Sequence, residues 1–150
     1  MCHGIVDNMR GVTSQYNPAD GLPAIVVFAD DTSLIWLRLF RRGFRHCFVA
    51  VQRNNVWIIC NSLSHYTDLD AAVGWPAGEL STWYRSRGFI VVEAVARVPP
   101  QRCAPVRPFT CVETVKRVLG LRAPGVFTPW QLYRFLCGTV GDAEHKGINS

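Results

Sequence analysis

The sequence predicts an α+β domain, and three observations carry that expectation. Two runs rich in apolar and β-branched residues, Phe44 to Val51 and Val56 to Cys60, are joined by a short polar break, which is the pattern of a hairpin. A third run, FIVVEAVARV from Phe89 to Val98, reads as a further strand. Two later segments carry clear helix start and stop signals. Together they predict a small antiparallel sheet, made from the hairpin and the Phe89 to Val98 strand, packed against a helix that begins at Cys111.

The chain of 150 residues is long enough for one good core and contains no internal repeat, so a single domain over 1–150 is expected. Residues 1–22, with several Asn, Gly and Asp, read as an N-terminal arm, 23–138 as the core, and 139–150 as a C-terminal tail of low apolar content, loose or docked on a partner. Ala24 to Phe28 is a short run suited to a buried strand. Asp30, Asp31 and Thr32 then supply negative charge and a cap for a helix through SLIWLRLF, and Arg38, Arg41 and Arg42 fall near its end, the charge order that a helix dipole favours. After the hairpin, SHYTDLDAAVGWPAG reads as a loop with room for a further turn of helix. GELSTWYRSRG reads as a short helix with Leu80, Trp83 and Tyr84 inward.

The two late helices follow the proline-bearing linker PPQRCAPVRP. In TCVETVKRVLG, Thr110 and Glu113 have the spacing of a capping box, and Gly120 supplies the stop. In TPWQLYRFLCG, Thr128 is the cap, Pro129 occupies the first helical position, Gln131 the box position, and Gly138 is the expected end.

Composition narrows the classes of function. At 49% apolar residues the chain is globular rather than disordered. No apolar run approaches the roughly 18 to 20 residues that span a bilayer, and MCHGIVDNMR lacks the charged-then-apolar order of a signal peptide. A cytoplasmic protein without a transmembrane segment is expected. Its six cysteines are scattered without a CxxC pair, which argues against a zinc ribbon or a dithiol redox motif; free thiols and no metal or cofactor are expected. The net charge of +5 favours acidic partners such as anionic lipid or a bacterial cell-wall polymer, and for want of any recognition motif nucleic acid is not expected among them. Cys2 and His3 have no partner ligands at useful spacing, His65 and His145 lie in loop and tail, and the five tryptophans read as core or groove-lining aromatics.

Three residues form a pattern with chemical meaning. If the hairpin turns so that Val51 faces Val56, then His46 faces Asn61, close enough for the asparagine amide to hold the imidazole in one tautomer. Cys47 and Cys60 would face each other on the opposite side. Cys111, directly after the cap Thr110, occupies the first turn of a helix, where free N–H groups and the helix dipole favour thiolate over thiol. Cysteine, histidine and an orienting asparagine are the members of the cysteine form of the acyl-transfer triad.

On these residues rests a resemblance. HCFVAVQRNNVWIICNS resembles the histidine and asparagine hairpin of papain-like cysteine proteases, where the second strand ends in an Asn-Ser pair. The nucleophile follows the histidine here, the order of circularly permuted papain-like enzymes, a group that includes permuted NlpC-type peptidases and relatives of lecithin:retinol acyltransferase. FTCVETVKRVLG followed by TPWQLYRFL is also similar to the nucleophile region of small NlpC-type proteins of tailed phages and bacteria. The likeness covers roughly residues 44–137; it departs from papain at Val112, where a tryptophan is typical, and shows no matching glutamine for the oxyanion hole. It implies a permuted papain-like fold with Cys111 as nucleophile, His46 as general base and Asn61 as orienting residue. It further implies cleavage of an amide bond in peptidoglycan peptides, in the setting of a phage virion. The alternatives are an acyltransferase or thioesterase of the lecithin:retinol type, and a structural virion or tail protein that keeps the fold without activity.

Overall fold

The computed structural model describes residues 21–30, 41–63, 65–99 and 109–145. Most of the N-terminal arm, the helix expected through SLIWLRLF, and Cys2 and His3 lie outside them. The chain is α+β, with five strands and three helices: β1 (Leu22–Ala29), β2 (His46–Arg53), β3 (Val56–Ser62), β4 (Thr67–Val73), α1 (Ala77–Ser86), β5 (Ile90–Ala96), α2 (Cys111–Leu119) and α3 (Pro129–His145). The strands form one antiparallel sheet in the order β4-β3-β2-β1-β5.

The most continuous apolar run is β1, an interior strand between β2 and β5, for a simple reason. From Ala24 to Ala29 every residue of β1 is buried, because the strand is covered on both faces and has no solvent side to make polar. Val26 and Phe28 join Val49 of β2 against Val112, Val115 and Leu119 of α2 and Leu132 and Leu136 of α3. Ile25 and Val27 turn the other way, with Ala50 and Trp57, against Leu80 and Tyr84 of α1. The sheet therefore separates two apolar layers.

The hairpin turns one residue later than the expected pairing required. Asn54 and Asn55 both have positive φ (48° and 62°), the conformation of a two-residue type I′ turn, which asparagine tolerates better than most residues. Arg53 accordingly pairs with Val56 and Val51 with Ile58, not Val56. The expected facing of His46 with Asn61, and of Cys47 with Cys60, is thus displaced by two residues along one strand. Since side chains alternate with period two, a displacement of two leaves each residue on its original face.

Another difference is β4, where the sequence suggested a loop. β4 pairs with β3 from Val56↔Val73 to Ser62↔Thr67. As an edge strand exposed along most of its length it needs no apolar alternation, and Asp68 and Asp70 hide it from pattern reading. The expected stop at Gly138 is overturned as well: α3 runs through it to His145, so residues 139–145 are helical and not loose tail. A glycine inside a helix costs about 1 kcal/mol and need not end it. Gly120 does end α2, since it takes up the left-handed conformation (φ 69°) and completes a Schellman motif through Leu121 N–H to Lys116 O (2.8 Å) and Gly120 N–H to Arg117 O (3.2 Å).

Both predicted helix starts form as capped ends. Thr110 Oγ1 accepts from Glu113 N–H at 3.2 Å. At α3, Gln131 N–H donates to Thr128 Oγ1 at 3.3 Å while Gln131 Oε1 accepts from Thr128 N–H at 3.0 Å, the two halves of a capping box.

Candidate active site

Cys111 is the first residue of α2, fixed there by the Thr110 cap. The helix axis thus delivers the partial positive charge of its N-terminus to the sulfur. Below it, α2 packs on the sheet through Val112 and Val115, which sets the start of the helix over the beginning of β2.

His46 is the first residue of β2, paired with Ala29 of β1, and Asn61 is the penultimate residue of β3. Their side chains meet although they do not face each other: His46 Nε2 lies 2.7 Å from Asn61 Oδ1. In the observed register Asn61 continues the ladder opposite Phe48, the next residue along on the His46 side, and the two long side chains span that diagonal. With the amide oxygen as acceptor, Nε2 carries the proton and Nδ1 is left to exchange one with a substrate or nucleophile.

The Cys111 sulfur is in hydrogen-bonding contact with Cys47 and His46, and its pKa is lowered to about 4. The Cys47 thiol is the largest cause; burial opposes it, and the His46 hydrogen bond, the His46 charge and the Cys47 backbone lower it further. Burial pushes the Cys47 thiol up, helped by its bond to Cys111 and the adjacent charge. Alternation along β2 puts His46 with Phe48 and Ala50 on the α1 side and Cys47 with Val49 on the α2 side. Contact with both places the Cys111 sulfur at the end of the strand, where side chains from either face can converge.

The structure therefore brings together all three residues that the sequence singled out, and adds one that it did not. In the sequence Cys47 reads only as a buried thiol facing another, Cys60, across the hairpin. The available signal was its place beside His46 on the face turned toward α2. Cys60 lies between Val49 and Leu69 on the α2 side, away from Asn61, and burial raises its pKa. Cys47, Cys60, Cys111 and Cys137 are free thiols. His65 is exposed, with its ring edge-on to Tyr66 at 4.6 Å.

Among the described residues no group of three or more His, Cys, Asp or Glu side chains is arranged to hold a metal ion, and no helix is long and apolar enough to cross a membrane. A cavity of about 880 Å³, lined by residues that include Pro23, Glu93, Arg97, Gly120 and Arg122, includes neither Cys111 nor His46 in its wall. Comparison of the chain with protein-family models, with curated proteins and with solved structures finds no match.

Proposed function

We propose that this protein is a cysteine-nucleophile hydrolase of amide bonds, with Cys111 as nucleophile, His46 as general base and Asn61 holding the imidazole. The observation that carries this reading is the continuous contact from Asn61 through His46 to a sulfur at a helix N-terminus whose pKa is lowered to about 4. In the first half-reaction the Cys111 thiolate adds to the carbonyl carbon, and the first-turn N–H groups of α2 face the developing oxyanion. Protonated His46 gives its proton to the departing amine as the C–N bond breaks, leaving a thioester. In the second, His46 Nδ1 takes a proton from water, the hydroxide adds to the thioester, and the thiolate departs.

The resemblance to circularly permuted papain-like enzymes of the NlpC type makes a peptidoglycan peptide bond the leading substrate. A net charge of +5 suits an anionic cell wall. A phage particle that must pass that wall is the corresponding setting.

A second reading has an observation of its own. Ile58, Leu69 and Val73 stand 46%, 67% and 72% exposed on the α2 side of β3 and β4, and such apolar surface suits an acyl chain. Cys111, His46 and Asn61 would then serve an acyltransferase or thioesterase of the lecithin:retinol type. Incubation with purified muropeptides and with acyl esters separates the two, using Cys111→Ser as control. The hydrolase reading expects wild type, and not Cys111→Ser, to release peptide fragments. Turnover of neither substrate, together with a Cys111 thiol that titrates in the ordinary range, would leave a structural role such as a virion or tail component.

A further inference from the structure

The triad uses three side chains, but the Cys111 sulfur has a fourth neighbour. Cys47 is 0% exposed and belongs to the apolar layer formed with Phe28, Val49, Val112 and Val115. Cys111 packs at the margin of that same layer, so its sulfur meets Cys47 from the buried side, and both the side chain and the backbone of Cys47 hydrogen-bond to it. A thiol enclosed by aliphatic groups pays heavily for ionising, which keeps the proton on Cys47 and makes it the donor of the pair.

We propose that Cys47 is a positioning residue for the nucleophile: its S–H, presented from the buried face of β2, donates to the Cys111 sulfur and holds it as an anion aimed toward His46. The inference rests on the reading of Cys111 as nucleophile and adds a function that His46 cannot perform throughout the cycle. His46 favours the thiolate by charge only while its ring is protonated, and it must be neutral to activate water. Cys47 is a neutral donor whose effect is the same in both states. It therefore supports the sulfur anion whichever proton state His46 holds, including the neutral ring, where the imidazolium charge no longer helps. No atom is transferred from Cys47; its hydrogen bond shortens or lengthens as charge on the Cys111 sulfur grows or fades.

The test is the pH dependence of alkylation by iodoacetamide, read at the Cys111 peptide by mass spectrometry, in wild type, Cys47→Ala, Cys47→Val, Cys47→Ser and Cys60→Ala. Loss of the donor in Cys47→Ala should move the Cys111 midpoint up by about one pH unit or more, which is about tenfold less thiolate at any pH below both midpoints. The hydroxyl of Cys47→Ser should restore most of that shift, and Cys60→Ala, on the same face but outside the contact, should leave the midpoint where it is in wild type. Cys47→Val fills the volume without a donor, so it must follow the alanine variant and serves in its place should Cys47→Ala fail to fold. A purely structural role for Cys47 predicts the same midpoint in every folded variant, and that result overturns the proposal while a low wild-type midpoint keeps the triad. A wild-type midpoint in the ordinary thiol range overturns the triad itself.

Discussion

Nε2 of His46 stands 2.7 Å from Oδ1 of Asn61, although the hairpin register sets the two residues on neighbouring and not facing positions. The bond fixes which ring nitrogen carries the proton and so which one is turned to the chemistry. Asn61→Ala removes that restraint without touching substrate, and a hydrogen bond to a ring that becomes charged is worth about 1.5–3 kcal/mol. Under the proposed hydrolase function, a fall in kcat of about tenfold to a hundredfold is expected, with KM little changed, measured with muropeptides as the trial substrate.

The lowered pKa of Cys111 has a pH signature. With its midpoint near 4, the thiolate is present through the neutral range and is lost only as pH falls through that value. A free cysteine would instead gain its thiolate near pH 8.5. His46→Ala removes one hydrogen bond and one positive charge that favour the anion, so the midpoint must rise. Alkylation rate against pH in the two proteins measures this; a shared midpoint near 8.5 would sink the assignment of Cys111 as nucleophile.

Lys116 is 4% exposed, and its ammonium is held by Glu113 Oε2 (2.8 Å) and by the carbonyl oxygens of Ala123 (3.2 Å) and Val126 (3.0 Å). That cation ties α2 to the connection that leads into α3. Glu113→Ala leaves it buried without its counter-charge, and a loss of about 3–5 kcal/mol in unfolding free energy is expected by denaturant titration. Arg117→Ala removes only the exposed partner of the same carboxylate and should cost less than about 1 kcal/mol. Equal effects would show that the buried pair has no special weight.

Gly120 closes α2 in the left-handed conformation, and a Cβ there would collide with the carbonyl of Arg97 just beyond β5. Arg97 N–H donates to Leu119 O at 3.2 Å, so the two segments cannot separate without loss. For Gly120→Ala the backbone conformation alone costs about 1–2 kcal/mol, and the collision adds to it. A lowered thermal midpoint with α2 still helical by circular dichroism is the expected result.

At the hairpin the sign reverses. Asn55 already has positive φ (62°), so Asn55→Gly keeps the turn and relieves its residual strain. A gain of a few tenths to about 1 kcal/mol is expected, whereas Asn54→Val should destabilise, both read by equilibrium unfolding. An Asn55→Gly variant less stable than wild type would show that the turn does not lie at Asn54 and Asn55.

The features legible in the sequence are local ones. The caps Thr110 and Thr128, the stop at Gly120 and the start of α2 at Cys111 all depend on contacts within a few residues, and each stands as the residue types require. The common face of His46 and Asn61 was legible too, because a two-residue change of register preserves it. The tertiary structure decided the rest. β4 exists because β3 offers it an unpaired edge, a long-range condition that Asp68 and Asp70 do not encode. The full burial of β1 follows from helices covering both of its faces, and the Cys47 contact from where α2 comes to rest on β2. Residues 65 positions apart in the chain, such as His46 and Cys111, are joined by packing. Hydrogen-bond propensity and capping act over one turn of chain, whereas the convergence of the site depends on how whole layers bury their apolar faces.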